Sequence, residues 1–218
     1  MTCAGHCCAI DSQFDDRVAQ RDLKNYRRRG PNRWTSALLR ATRQAGIAGD
    51  TVLDVGGGIG AIAHELLATG AAQATLVDAS AAYLVAARAE AERRQWSDRF
   101  TTRTGDFVAL AQEIPPADVV TLDRVICCYP DMERLLAAAT SRARRMLGVV
   151  YPHDSWWMRI AFGLINRIMA MRRTAFRVYL FPDRTIDAAI RREGLAPRFQ
   201  RQRFGWVVAL YERSVATQ

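Results

Sequence analysis

A chain of 218 residues, half of them hydrophobic, can bury one substantial core and is too short for two full domains. Its five cysteines (Cys3, Cys7, Cys8, Cys127 and Cys128) lack the even, spaced pattern of a secreted disulfide protein, and no uncharged run is long enough to cross a bilayer, so a soluble protein in a reducing, cytoplasmic compartment is expected. The net charge of +9 would attract nucleic acid, anionic lipid or acidic small molecules, but all but one of the 31 basic residues are arginine and no aromatic-basic motif accompanies them, which disfavours a nucleic-acid partner.

Residues 1–10 contain Cys3, His6, Cys7 and Cys8. Such soft ligands could hold a metal, but structural zinc sites draw paired ligands from two separated places and no second pair lies downstream. No metal is expected, and the segment reads as an untied Cys-rich tail. The rest, 11–218, reads as a single domain with an N-terminal helical cap at 11–48 and a helical insertion at 152–182. Asp11 to Arg29 has intermittent apolar positions at Phe14, Val18, Leu23 and Tyr26 and reads as one helix, its basic end complementing the helix dipole. Trp34 to Ala45 forms a second, with Leu38, Leu39 and Ala41 toward the core. Both precede the sheet and are placed to cover its ligand edge.

Thr51 to Gly60 is a short apolar strand that runs into Asp54 and then four glycines. Val52, Leu53 and Val55 suit a buried parallel strand, the glycines allow a sharp turn and close approach to a ligand, and Ala61 to Ala68 follows as a helix. Gln73 to Asp78, Phe100 to Thr104, Ala117 to Arg124 and Met146 to Tyr151 are the next strands, separated by helices at Ala81 to Arg94 and Asp131 to Arg144. This alternation specifies a doubly wound α/β sheet.

Past Tyr151 the pattern changes. Trp156 to Arg173 is a helix with Trp157, Ile160, Ala161, Leu164, Ile168 and Met171 on one side. Such a face normally packs on its own core; its alternatives are the wall of an apolar pocket or peripheral contact with a membrane surface. Asp183 to Glu193 is a last helix ended by Gly194, and Ala196 to Phe204 with Trp206 to Glu212 alternate as an antiparallel hairpin around Gly205.

Gly56, Gly58 and Ala61 can be fitted to a dinucleotide fingerprint with Asp78 on the ribose. Asp54 argues against it, because an acid at the strand end would repel a pyrophosphate seated on the helix N-terminus. A cationic ligand has no such conflict. Asp54-x-Gly56-x-Gly58-x-Gly60 resembles the first motif of class I S-adenosylmethionine-dependent methyltransferases, and the resemblance covers about Phe14 to Glu212. It implies a Rossmann-like fold with a mostly parallel seven-stranded sheet and a C-terminal antiparallel hairpin, and S-adenosyl-L-methionine as cofactor. It further implies that Asp54 and the glycine backbone hold the methionine end, Asp78 the ribose hydroxyls and Asp106 the adenine amino group beside Phe107, with Ala79 and Asp123 completing the cofactor set.

Methyl transfer can proceed by alignment and desolvation alone. Where the acceptor must lose a proton, Asp123, Tyr129 and His153 are the candidate catalytic residues, while Cys127 and Cys128 read as packing residues near the pocket. Val120 to Asp131 and Tyr179-Leu-Phe-Pro resemble segments of magnesium-protoporphyrin O-methyltransferases, although the family has His-Tyr where this chain has Cys128-Tyr129. The expected substrate is a small apolar or acidic molecule, methylated at oxygen or carbon, with a tetrapyrrole, a quinone or a lipid as candidates. A non-catalytic cofactor-binding module and a nucleic-acid methyltransferase are the competing readings.

Overall fold

The computed structural model describes residues 5–213. The β-branched and apolar runs become Thr51–Val55 (β1), Gln73–Asp78 (β2), Phe100–Thr104 (β3), Ala117–Asp123 (β4) and Ala143–Pro152 (β5), joined by Leu195–Arg203 (β6) and Trp206–Arg213 (β7). Together they form a seven-stranded sheet in the order β3-β2-β1-β4-β5-β7-β6. β1 to β5 pair in parallel, and β7 is inserted antiparallel between β5 and β6. β5 reaches back to Ala143, which pairs with Ala117, so the preceding helix ends earlier than its sequence suggests. Ladder hydrogen bonds there outweigh a helix-compatible composition.

Gly5–Gln13 (α1), Asp16–Arg29 (α2) and Arg33–Gln44 (α3) precede β1; Ala61–Ala68 (α4), Ala81–Arg93 (α5), the single turn Phe107–Leu110 (α6) and Met132–Arg142 (α7) connect the parallel strands; Trp156–Met171 (α8) and Asp183–Arg192 (α9) follow β5. One face of the sheet is covered through Leu135, Leu136, Ile186 and Ile190 of α7 and α9. The other is covered through Leu38, Leu66 and Leu84 of α3, α4 and α5. Leu38 packs so closely on β5 that a Cβ on Gly148 would lie 2.8 Å from its Cδ1. Thus α3 belongs to the core layer, while its first turn, through Thr35, still reaches the ligand edge beside α1 and α2.

Three features differ from the sequence reading. The single helix expected over Asp11 to Arg29 is two, because the Asp15 carboxylate accepts from the Val18 N–H at 3.0 Å and starts a new helix. From Gly5 onward the segment read as an untied tail is helical, with Cys7 buried; Cys3 lies outside the described residues. Finally, the apolar side of α8 does not pack on the core. Met158 is its buried residue, whereas Trp156, Ile160 and Leu164 are 75%, 64% and 58% exposed. No helix of the described residues is long and apolar enough to cross a membrane.

Candidate active site

The strand order reverses between β1 and β4, and their carboxyl ends open a crevice there. The glycine loop fills its floor. Gly56, Gly58 and Gly60 turn at φ of 60°, 59° and 74°, and Gly60 starts α4 without a side-chain cap. Gly57 has no such φ; its constraint is space, since a Cβ would overlap Asp54 Oδ2 and lie 2.6 Å from Leu76 Cδ1. Gly57→Ala is therefore expected to destabilise the fold by about 1–3 kcal/mol, read as a thermal midpoint lowered by several degrees. An unchanged midpoint would show that the floor of the loop can yield.

Four acids stand around this loop, and each is held differently. Asp54 is completely buried; Thr121 Oγ1 donates to its Oδ1 at 2.7 Å, while its Oδ2 has no hydrogen-bond partner. Burial pushes its pKa up to about 7. Asp78 accepts from the Gly58 and Ser80 N–H groups, both at 2.8 Å, and burial raises its pKa to about 6. Asp106 caps α6 through the Val108 N–H at 3.0 Å and accepts from the Tyr129 hydroxyl at 3.1 Å. Asp123 accepts from Thr35 Oγ1 and from Arg124 Nε, which ties α3 to the end of β4.

Above these groups lies the lid. The Tyr26 hydroxyl of α2 donates to Glu65 at 2.9 Å, the Tyr83 hydroxyl of α5 donates to Asp22 at 2.8 Å, and Arg27 donates to Glu90 at 2.8 Å. Burial alone would raise the pKa of Glu90, but the guanidinium groups of Arg93, Arg94 and Arg27 bring it down to about 2. Ala19, Leu23 and Tyr26 pack with Ile59 of the glycine loop and Ala86, so the lid sits directly on the loop. A cavity of about 560 Å³ remains between them.

Asp54, Gly56, Gly58, Asp78, Ala79, Asp106, Phe107, Asp123 and Tyr129 all line this cavity. Gly60 does not, and serves the turn into α4. His153 is also outside the wall: its backbone N–H donates to Gly205 O at 2.9 Å, and its Nδ1 meets Asp183 Oδ2 in a short hydrogen bond. Cys127 is buried and Cys128 borders the cavity, with their sulfurs 3.8 Å apart. The hydrogen bond with Cys128 and burial raise the pKa of Cys127. Phe14, Asn25, Arg29, Thr35, Tyr83 and Arg124 also line the cavity, and of these only Arg124 falls within a motif segment of the sequence, Val120 to Asp131. The placement of two helices before β1 was the available signal for the first four, but it could not single out residues.

Residues 52–147 match a family model described as a methyltransferase domain. Among solved structures, the magnesium protoporphyrin IX methyltransferase (ChlM) of Synechocystis PCC 6803 with bound SAH is 17% identical, with a TM-score of 0.73 over 96% of this chain and 100% of that one. An O-methyltransferase family protein of Burkholderia thailandensis is also 17% identical, with a TM-score of 0.74 over 94% of this chain and 62% of that one. The methyltransferase in a complex with the Trm112 activator of Haloferax volcanii gives 17% identity and a TM-score of 0.69, covering 95% of this chain and 99% of that chain. Among curated proteins none matches this sequence.

Proposed function

We propose that this chain is a class I S-adenosylmethionine-dependent methyltransferase and that it methylates oxygen or carbon of a small apolar acceptor that carries an acidic group, the description of a tetrapyrrole or a related lipophilic acid. One observation carries the proposal: the cavity runs from the glycine loop past Asp123 to a wall that combines Ile10 and Phe14 with Arg29 and Arg124. Apolar lining with a few placed charges is the composition of a small-molecule pocket. The similarity to a magnesium protoporphyrin methyltransferase supports the tetrapyrrole within that class.

The residues fit the cofactor. Asp54 offers a buried carboxylate oxygen without a partner, which suits a ligand bearing ammonium and sulfonium charge, and the glycine floor leaves no room for side chains at Gly56 and Gly57. Asp78 would accept the ribose hydroxyls with the lone pairs its two N–H bonds leave over, and Asp106 with Phe107 would receive the adenine. When bound, the cofactor supplies a methyl group already activated by sulfonium.

The protein's own contribution is alignment and exclusion of water by α1 and α2. For proton removal the cavity narrows the candidates. Burial and Asp106 push the Tyr129 phenol well above its ordinary range, and its hydroxyl is committed to Asp106, so it positions that acid and does not act as a base at neutral pH. Asp123, held by Thr35 and Arg124, is the acid at the acceptor side. His153 is assigned no role in the transfer.

The test follows labelled methyl groups from cofactor into porphyrin, quinone-precursor and fatty-acid pools. Arg29→Gln is expected to raise KM for an acidic acceptor about tenfold, a loss of one charge-assisted contact, with cofactor Kd unchanged. Labelling of neutral acceptors alone, or an Arg29→Gln variant with wild-type KM, would refute the acidic acceptor.

A further inference from the structure

The four-arginine surface beside α8 is unused by the reaction. A second cavity, about 170 Å³, lies between α3 and the tip of the β6–β7 hairpin, walled by Arg33, Trp34, Arg40, Arg201, Arg203 and Phe204. No acid pairs with any of these arginines among the described residues. Instead Arg33 stands over the Trp34 and Phe204 rings at 4.7 and 5.1 Å, and Arg203 over Phe204 at 4.8 Å. Four guanidinium groups held together without counter-charge form a receptor for an anion.

This cleft meets α8 at the hairpin tip, where Phe204 of its wall is followed by Gly205. The Trp157 ring packs on Gly205 so closely that a Cβ there would overlap it, which places α8 against the hairpin tip. From that junction Trp156, Trp157, Ile160, Leu164 and Met171 are exposed along the helix, and Phe204 of the tip is 62% exposed. Arg167 is exposed beside this stripe, whereas Arg159 is held by the Asp154 carboxylate at 2.7 Å. The sequence contains no Asp or Glu over 23–49, 155–182 or 194–211; the acids bordering these segments include Glu212 of β7, paired with Arg198, and Asp154, paired with Arg159. The surface is thus apolar, aromatic and cationic at once.

We infer that this face docks on an anionic phospholipid surface, with a lipid phosphate in the arginine cleft and α8 lying in the interface plane. Charge complementarity selects an anion. The apolar stripe then selects lipid over nucleic acid, since Ile160 and Leu164 would gain nothing from a phosphate backbone but gain apolar burial at the acyl boundary, where tryptophan is also favoured. The inference does not depend on methyl transfer, because binding to a membrane is read without turnover.

Co-sedimentation of the full chain with phosphatidylcholine vesicles, with and without a third of phosphatidylglycerol, tests it. Binding is expected to the anionic vesicles and to weaken as salt is raised. Arg201→Gln with Arg203→Gln should reduce it by roughly tenfold or more, and so should Ile160→Ser with Leu164→Ser, while thermal midpoint and cofactor Kd stay at wild-type values. Absence of binding to either vesicle would overturn the inference, as would equal binding to both that ignores the arginine changes. Tighter binding to an RNA homopolymer that is lost with the same arginines would overturn it too, by assigning the cleft to nucleic acid.

Discussion

Asp78→Ala is expected to weaken cofactor binding by about 3 kcal/mol, more than a hundredfold in Kd measured by calorimetry. The size follows from what the carboxylate holds. It fixes the glycine loop through Gly58 and the start of α5 through Ser80, both at 2.8 Å. Ser80 in turn caps Tyr83 and donates to the Phe14 carbonyl of the lid at 2.7 Å. Removing the acid would therefore orphan two backbone donors and slacken the link between floor and lid, besides deleting the group proposed to receive the ribose hydroxyls. Asp78→Asn separates these effects: it keeps the volume but sets an amide N–H₂ against one backbone N–H, so it should recover part of the thermal midpoint and little of the affinity. A Kd unchanged in both variants would remove Asp78 from the site.

The β1 turn and the strand-end acids were legible in sequence because each depends on local chemistry: apolar runs make buried strands, glycine alone tolerates the turn, and acids at successive strand ends collect at one edge of a parallel sheet. What was illegible depends on contacts between distant segments. Gly57 reads as a spacer between motif glycines, yet it is the position that Asp54 and Leu76 crowd most. Tyr129 reads as a free phenol near the acceptor, and only the meeting of β4 and α6 regions puts it on Asp106. His153 has the right chemistry for a base but is turned into the junction of Asp183 and Gly205. The amphipathic pattern of α8 was visible, but periodicity gives the width of an apolar stripe and not the direction it faces. Here the stripe faces away from the core.

The pH dependence of cofactor binding gives the sharpest test of Asp54. Its folded pKa is raised by burial to about 7, against an ordinary value near 3.8. Between those values the folded protein retains a proton that the unfolded chain has released, so this group favours folding fully below about pH 4, and that advantage is lost as pH rises through about 7. Asp78, raised to about 6, acts in the same direction over a narrower window. A cationic cofactor prefers the ionised carboxylates, so binding must expel these protons at low pH. Affinity for S-adenosylmethionine should accordingly rise from about pH 5 to about pH 8 and then level off, with a slope approaching tenfold per pH unit for each proton expelled. The thermal midpoint of the cofactor-free protein should move the opposite way over the same range, once other groups are subtracted with Asp54→Asn. Opposed trends that both flatten in that variant would place the Asp54 carboxylate under the cofactor's positive charge. An affinity that does not change with pH would mean that binding displaces no proton from Asp54, and would overturn the coupling between its raised pKa and the cofactor's positive charge.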